Sequence, residues 1–352
     1  MDRLNHVFVL TKLSMEQRDF HAPAIEERVG SKNQWVLLKS QFNWGKLESL
    51  LRKTDNTGEQ GGRPPYSPLL MFRAMLLGQW HDLSDEDLEY SLKVRLDFAM
   101  FCGLSLSEAV PDRTTLGKFR NKLVEQGLLP LCLKTVNEEL ERLGLKLSKC
   151  GEFIVDATII RSQARPRNVI EVSDDDDEPP TKTTSKDPDA HWVKTGKNFK
   201  YGYKQVTAVD AEDGYIEYLH MTPANIHEVT QLAPVVEGLK KAKAILADKG
   251  FASKTNSALL ENRNIEDKIM KKAKKNSPLT DEQKQFNKQV SLIRYKVERT
   301  FGTQKRVLRF ERSRYFGLAR TQGQAFFKAI CANLKKGMRK VFAPPRLAYP
   351  QG

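Results

Sequence analysis

Cysteine is scarce in this chain of 352 residues. Cys102, Cys132, Cys150 and Cys331 are widely spaced, and no Cys-x-x-Cys pair occurs. That pattern argues against a zinc site or a disulfide framework and fits a reducing compartment. Each cysteine is expected to be a small buried hydrophobe. Long apolar runs are also missing. The best candidate, "PLLMFRAMLLG", carries Arg73 and falls well short of the roughly 20 residues a membrane span needs. The opening "MDRLNHVFVL" holds an acid and too short an apolar stretch for a secretory signal. Neither a Gly-x-Gly-x-x-Gly nor a Walker-type Gly-x4-Gly-Lys-Ser/Thr string is found, so nucleotide-cofactor readings lose support. No internal repeat is evident.

Positive charge is abundant. Lys and Arg number 58 against 44 Asp and Glu, a formal net charge of +14. The length suggests about two domains with room for a sizeable core. The charge favours a polyanionic partner, nucleic acid first and an anionic membrane surface as the rival. No basic amphipathic face is strong enough to support the membrane reading. From 291 to 341 there are fourteen Lys and Arg against Glu298 and Glu311, which concentrates the bias near the C-terminus.

Residues 1–63 hold several candidate helices and a loop. Residues 64–149 read as helical. "SPLLMFRAMLLGQW" has helical apolar spacing. "SDEDLEYSLKVRL" opens with Ser84 and Asp87 in a capping-box-like start. "PDRTTLGKFRNKLVEQG" offers Asp112 as N-cap and Gly127 as stop, and presents Arg113, Lys118, Arg120 and Lys122. Two helices, a break and a basic helix resemble a helix-turn-helix, although any small bundle can look the same. The texture then changes. "GEFIVDATII" is a β-branched strand. Residues 171–189 are polar, Pro-containing and charge-blocked, and read as part of a flexible insert over about 165–198. Within it Asp174–Asp177 are a solvated run, since neighbours in an extended chain point to opposite sides. Next come a hairpin (200–223), a helix (225–241), a strand (243–251), a helix (253–264), a short strand and a long helix from about 281 to 308. A hairpin followed by alternating α/β elements makes a mixed sheet with helices on its faces, in the order of the ribonuclease H-like fold.

Three carboxylates stand out. Asp156 interrupts "FIVDATII", where an acid is costly to bury unless something satisfies it. Asp248 ends "AILAD", and strand tips are where α/β sheets place ligand-binding groups. Each has an ordinary alternative, an outward-facing strand residue and a turn residue. Glu298 lies in "RYKVERTFGTQKR". At about 100° per residue, Arg294, Glu298 and Lys305 fall within roughly 40° of one another, beside an apolar stripe of Val290, Val297, Phe301 and Leu308. The rival role for Glu298 is a local i,i+4 ion pair with Arg294. Three carboxylates from two strands and a helix suit a hard divalent ion, and two such ions suit an in-line displacement at phosphorus.

With "FIVDATII", "YGYKQVTAVD", "MTPANIHEV", "ILADKGF" and "RYKVERTFGTQKR" in that order, the chain resembles the insertion sequence 5 family of bacterial DDE transposases, from "RPPYSPLLMFRAMLLGQWHDLSDEDLEYSL" to about residue 310. The Arg-x3-Glu-x6-Lys spacing of Arg294, Glu298 and Lys305 is shared by related families. A Tyr often stands three residues before that Arg, and here the position is Ser291. Some relatives insert a large β-rich segment between the second Asp and the Glu, where this chain has only about 50 residues. The resemblance implies a ribonuclease H-like catalytic domain with Asp156, Asp248 and Glu298 as catalytic, metal-binding triad. It also implies Mg²⁺, with Mn²⁺ able to substitute, cleavage at terminal inverted repeats and joining of 3′-hydroxyl ends to target DNA. The expected partners are double-stranded DNA and further copies of the chain, a homodimer or larger assembly on paired ends, in the bacterial cytoplasm at the nucleoid. A nuclease of the same fold or a transposase-derived DNA-binding repressor is the alternative.

The expected DNA contacts are Arg294, Lys305, Arg299 and Arg306 on the catalytic helix, Lys118, Arg120 and Lys122 in the helical region, and Lys204, Lys271 and Lys272 around the sheet. Trp192 among Lys194, Lys197 and Lys200 is suited either to base stacking or to packing. His220 and His227 lie near Glu228, on a strand end and a helix start, and structural roles are expected for both. The stripe Phe327, Ile330, Leu334 and Met338 reads as core. The expected division is 1–63 for dimerisation or end binding, 64–149 for DNA binding, 150–310 for catalysis and 311–352 as a basic helix and tail.

Overall fold

Hydroxyl and carboxylate caps set where several of the helices begin. The structure, a computed structural model, describes residues 22–54, 65–147, 151–164, 169–171, 181–183, 185–273 and 277–342. The N-terminal 21 residues, Cys150, Asp174–Asp177, Lys274 and Lys275, most of the expected insert and the last ten residues lie outside that description.

The first eight helices are α1 Ala22–Val29, α2 Gln34–Gln41, α3 Gly45–Leu51, α4 Pro68–His81, α5 Asp85–Val94, α6 Leu96–Cys102, α7 Arg113–Glu125 and α8 Leu129–Arg142. Ser84 and Asp87 close the expected capping box on α5. The Asp112 side chain accepts from the Thr115 amide to start α7. At its end Gly127 takes φ +62°, and the Leu128 amide reaches back to the Leu123 carbonyl. α4 is buried almost all round, which is why it is apolar almost all round.

The strands are β1 Glu152–Arg161, β2 Val169–Glu171, β3 Thr181–Thr183, β4 His191–Thr195, β5 Asn198–Asp210, β6 Ile216–Pro223, β7 Ala244–Ala247 and β8 Glu266–Ile269. β2 and β3 pair with each other. The six others form one sheet in the order β5-β1-β7-β8, with β4 and β6 both pairing along the outer edge of β5. β5 is antiparallel to β1, whereas β7 and β8 run parallel to it. That is the ribonuclease H-like arrangement. The helix expected over 225–241 is shorter: a 3₁₀ turn at Glu228–Gln231, then α9 Leu232–Gly238. It stops where the Tyr218 ring packs against Gly238 so closely that a Cβ would lie 2.2 Å from it. Three helices follow, α10 Lys254–Asn262, α11 Asp281–Gly302 and α12 Leu318–Phe342.

Alternation along β1 builds two cores. Ile154 and Ile160 join a core shared with α11, α12 and the N-terminal helices. Phe153 and Val155 face the other way, onto α9 and α10. α12 packs on α4, α7, α8 and β6, and Phe327, Ile330, Leu334 and Met338 are buried there as expected. The helical region and one face of the sheet therefore share a continuous core. Cys102, Cys132 and Cys331 are buried and free. Among the described residues no helix is long and apolar enough to cross a membrane.

Candidate active site

Asp156 lies at mid-strand on the α11 side of β1, between Ile154 and Ile160. β7 pairs beside it with Val155 opposite Ala247, so Asp248 follows level with Asp156 on the neighbouring strand. Asp248 also caps the next turn by accepting from the Lys249 amide at 2.6 Å. α11 starts at a capping box of Thr280 and Gln283 and buries Val290, Val297 and Phe301. This anchoring lays Arg294 across the middle of β1 and the end of β7.

Arg294 Nη2 donates to Asp156 Oδ2 at 2.8 Å, and its Nη1 lies 3.8 Å from Asp248 Oδ1. The Arg294 and Asp156 side chains are only 13% and 15% exposed. The local i,i+4 pair with Glu298 is not the one Arg294 makes. Glu298 stands exposed one turn further along the same face. Burial pushes the Asp156 carboxyl above its usual range against the pull of Arg294 and the Ala157 amide, and Glu228 adds to the rise. Burial also works against the Arg294 charge, but the fields of Asp156, Asp248 and Glu298 more than offset it. All three carboxylates therefore act on one guanidinium.

Past Glu298 the helix widens into a π turn over Thr303–Val307, closed by the Leu308 amide on the Thr303 carbonyl at 3.0 Å. π turns recur at functional sites. Here the turn aims two side chains at the sheet. Lys305 Nζ donates to Thr158 Oγ1 at 2.5 Å, two residues along β1 from Asp156 on the same face. Buried Gln304 accepts from Gln205 Nε2 at 3.0 Å, and the same nitrogen also donates to Thr207 Oγ1 at 2.8 Å. Thr207 and Gln205 pair across the sheet with Asp156 and Thr158. Burial lowers the Lys305 pKa, and Lys200 and Arg161 lower it further.

The donor set fits a hard divalent cation in kind, because all three acids offer carboxylate oxygens and Arg294 already neutralises the point where their fields meet. As placed, they are not a finished cage. Among the described residues no three His, Cys, Asp or Glu stand close enough to hold a metal together. Arg294 occupies the space between Asp156 and Asp248.

The remaining expected contacts divide sharply. Arg299, Arg306, Lys118 and Lys272 are exposed. Lys271 is half-buried with its ammonium 5.6 Å from the Phe286 ring. Lys122 is half-buried and donates to the Thr54 carbonyl. Two expectations are corrected. Arg120 is buried, with Nη1 2.7 Å from Asp85 Oδ1 and its guanidinium 4.2 Å from the Tyr315 ring centre. Lys204 is buried on the opposite face of the sheet from Asp156, donating to the Ile226 carbonyl at 2.7 Å and lying 3.6 Å from Glu228. A buried, committed cation is a packing element and presents no charge to DNA. Trp192 is 53% exposed on the β4–β5 hairpin. His220 is half-buried, with Nε2 2.9 Å from Gln231 Oε1. His227 caps the turn at Glu228–Gln231 by its backbone. Thr158, Gln205 and Gln304 were missed. For Gln205 and Thr158 the available signal was their place, two residues apart from Thr207 and Asp156 on paired strands.

Residues 151–334 match the family described as Transposase DDE domain, and residues 23–122 match the Transposase domain (DUF772). The transposase for insertion sequence element IS1106 of Neisseria meningitidis serogroup B is 42% identical over 228 residues, covering 64% of this chain and 79% of that protein. Among solved structures, a piggyBac transposase synaptic complex with hairpin DNA aligns over 89% of this chain and 83% of its own at 12% identity, with a TM-score of 0.42. A pre-cleavage Mos1 transpososome aligns over 82% of both chains at 13% identity, with a TM-score of 0.26. The domain match spans more than half of the chain, and the chain covers 79% of the curated relative at 42% identity. The chain belongs to the DDE transposases.

Proposed function

We propose that this DNA transposase cuts at the terminal inverted repeats of its element with Asp156, Asp248 and Glu298, and joins the 3′-hydroxyl ends to target DNA. The observation that carries this is Arg294, which the two strand acids share while Glu298 stands one turn away. DDE transposases use divalent metals. We take Mg²⁺ as the ion, held by the three carboxylates, with Mn²⁺ able to replace it. Bound there, such ions supply activation of water or a 3′-hydroxyl and neutralise charge on the leaving oxygen. The protein's own part is positional. Arg294 orients Asp156, and the buried setting strengthens its interactions. Lys305, held on Thr158, stands beside the same strand face and takes a phosphate oxygen of the scissile strand.

We read the motif order as that of an insertion sequence 5 relative, working in the bacterial cytoplasm at the nucleoid. Residues 150–310 form the catalytic unit. The helical region from 64 to 149 contributes to DNA binding through exposed Lys118, and 1–63 to end binding or dimerisation. Residues 311–352 form the basic C-terminal helix and tail. Exposed Trp192 on its basic hairpin adds a stacking contact. Two or more copies act on paired ends.

The test uses purified protein, its own element ends and Mg²⁺. Asp156→Asn, Asp248→Asn and Glu298→Gln should each lower cutting by roughly 10³-fold or more while end binding persists. Full activity in any one of them sinks the triad. A strand-transfer assay then separates joining from mere hydrolysis.

A further inference from the structure

α11 has a second charged face. Lys296 and Arg299 lie roughly 200° and 140° around the helix from Arg294. They line a cleft of about 340 Å³ whose other wall is α12 and whose end is the β5–β6 turn. α12 contributes Lys335, Lys336, Arg339 and Lys340. Six cations therefore converge on one cleft, against Glu212 and Asp213. Asp213 is already committed, accepting from the Leu147 amide at 2.8 Å and the Tyr215 amide at 3.2 Å. Its charge and that of Glu212 offset only part of the six cations.

The lysines are held at the cleft rather than waving in solvent. Lys296 donates to the Glu212 carbonyl at 2.9 Å and also to that of Ala211. Lys336 donates to the Asp213 carbonyl and Lys340 to that of Leu145. An ammonium has three donors, so each anchored head keeps capacity for another acceptor. Lys336 and Lys340 also lie 4.9 and 5.5 Å from the Tyr215 ring centre. Arg299, Arg339 and Tyr295 stand exposed around the opening. Burial pushes Lys336 down to about 8 against the pull of Asp213 and Asp210, with Lys340 and Arg299 adding to the fall. Cations crowded this way favour any anion that enters. The cleft opens away from Asp156 and Asp248, behind a helix roughly 10–12 Å thick.

We propose that this cleft grips the phosphodiester backbone of a second stretch of duplex DNA, apart from the strand at the triad. The proposal rests on the reading of the Arg294 face as the catalytic one. The cleft offers anchored ammonium groups, flexible guanidinium groups at its opening and one exposed aromatic. Those groups suit a repeating phosphate chain and carry little base readout.

The experiment measures binding of a random-sequence duplex by fluorescence anisotropy across a salt series. It compares the full chain with Arg299→Gln/Arg339→Gln and, separately, Arg339→Glu, each first shown to melt like the parent. The double variant should lose roughly ten- to a hundredfold in affinity, and its log–log salt slope should flatten by about 1.8. Unchanged affinity and slope in both variants overturn the proposal. Displacement of the duplex by equimolar inorganic phosphate would also overturn it, marking a small-anion site. Glu298→Gln serves as the control. If it still cuts, the triad reading fails, while the salt slopes continue to decide the cleft.

Discussion

Arg120 in α7 and Arg294 in α11 make nearly the same bond in two regions of the molecule. Each is a mostly buried arginine on an Asp, at 2.7 Å for Asp85 and 2.8 Å for Asp156. Their surroundings differ. Arg120 has one carboxylate and the face of Tyr315, which closes α7 onto α5 and the C-terminal segment. Arg294 has two carboxylates within 4.0 Å and feels a third. One pair is balanced, as a structural pair should be. The other holds more negative charge than one guanidinium needs, where β1 and β7 run side by side, and that surplus suits the proposed site.

The comparison breaks most easily at Arg120. Arg120→Gln should destabilise the fold by about 3–5 kcal/mol, because it leaves Asp85 without its partner in a partly buried place. Chemical denaturation reads that loss, and the folded fraction should cut DNA at the parental rate per molecule. Arg294→Gln should do the reverse. Cutting should fall by roughly 10²-fold through misplacement of Asp156, with a smaller change in the denaturation midpoint. A large stability loss at Arg294 with unchanged cutting would make the two arginines alike.

The same contrast explains what the sequence could reveal. Strand order was legible, because β-branched alternation and turn chemistry are local. The caps at Ser84 and Asp112 were legible for the same reason. Asp156 stood out because an acid inside "FIVDATII" breaks a local rule. Whether a cation is buried is not local. Arg120 finds Asp85 across 35 residues, and Lys204 finds the Ile226 carbonyl across 22. In the chain they looked like Lys118, which is exposed. The helix over 225–241 was over-extended, and its end lies where Tyr218, on another element, packs against Gly238. The π turn that aims Gln304 and Lys305 has no one-dimensional signature, although the Arg-x3-Glu-x6-Lys spacing was already visible.

Metal addition sharpens the comparison further. At tenfold excess over its dissociation constant, a divalent ion should stabilise the parent by about 1.4 kcal/mol. Arg120→Gln should respond equally from its lower starting point. A variant carrying both Asp156→Asn and Asp248→Asn should respond little. Thermal melts with and without Mn²⁺ measure this. An equal shift in all three would place the ion elsewhere.

The smallest effect separates two histidines, one in each region. His81 packs against Trp35 and Phe98 in the helical core, and its buried Nε2 has no partner among the described residues. Burial first, then Arg95 and Lys335, push it down to about 4, with Asp97 opposing. His220 on β6 is also lowered by burial, but its bond to Gln231 works the other way. In both, the unfolded chain takes up a proton near pH 6.5 that the folded chain refuses. Stability is therefore fully present above that pH and drains away as pH falls, for His81 down to about 4. His81→Leu should flatten the acid limb of the stability–pH curve between those values. His220→Leu should flatten it less, because Gln231 already offsets part of the burial. Equal flattening would mean that the Gln231 bond does nothing to offset the burial of His220.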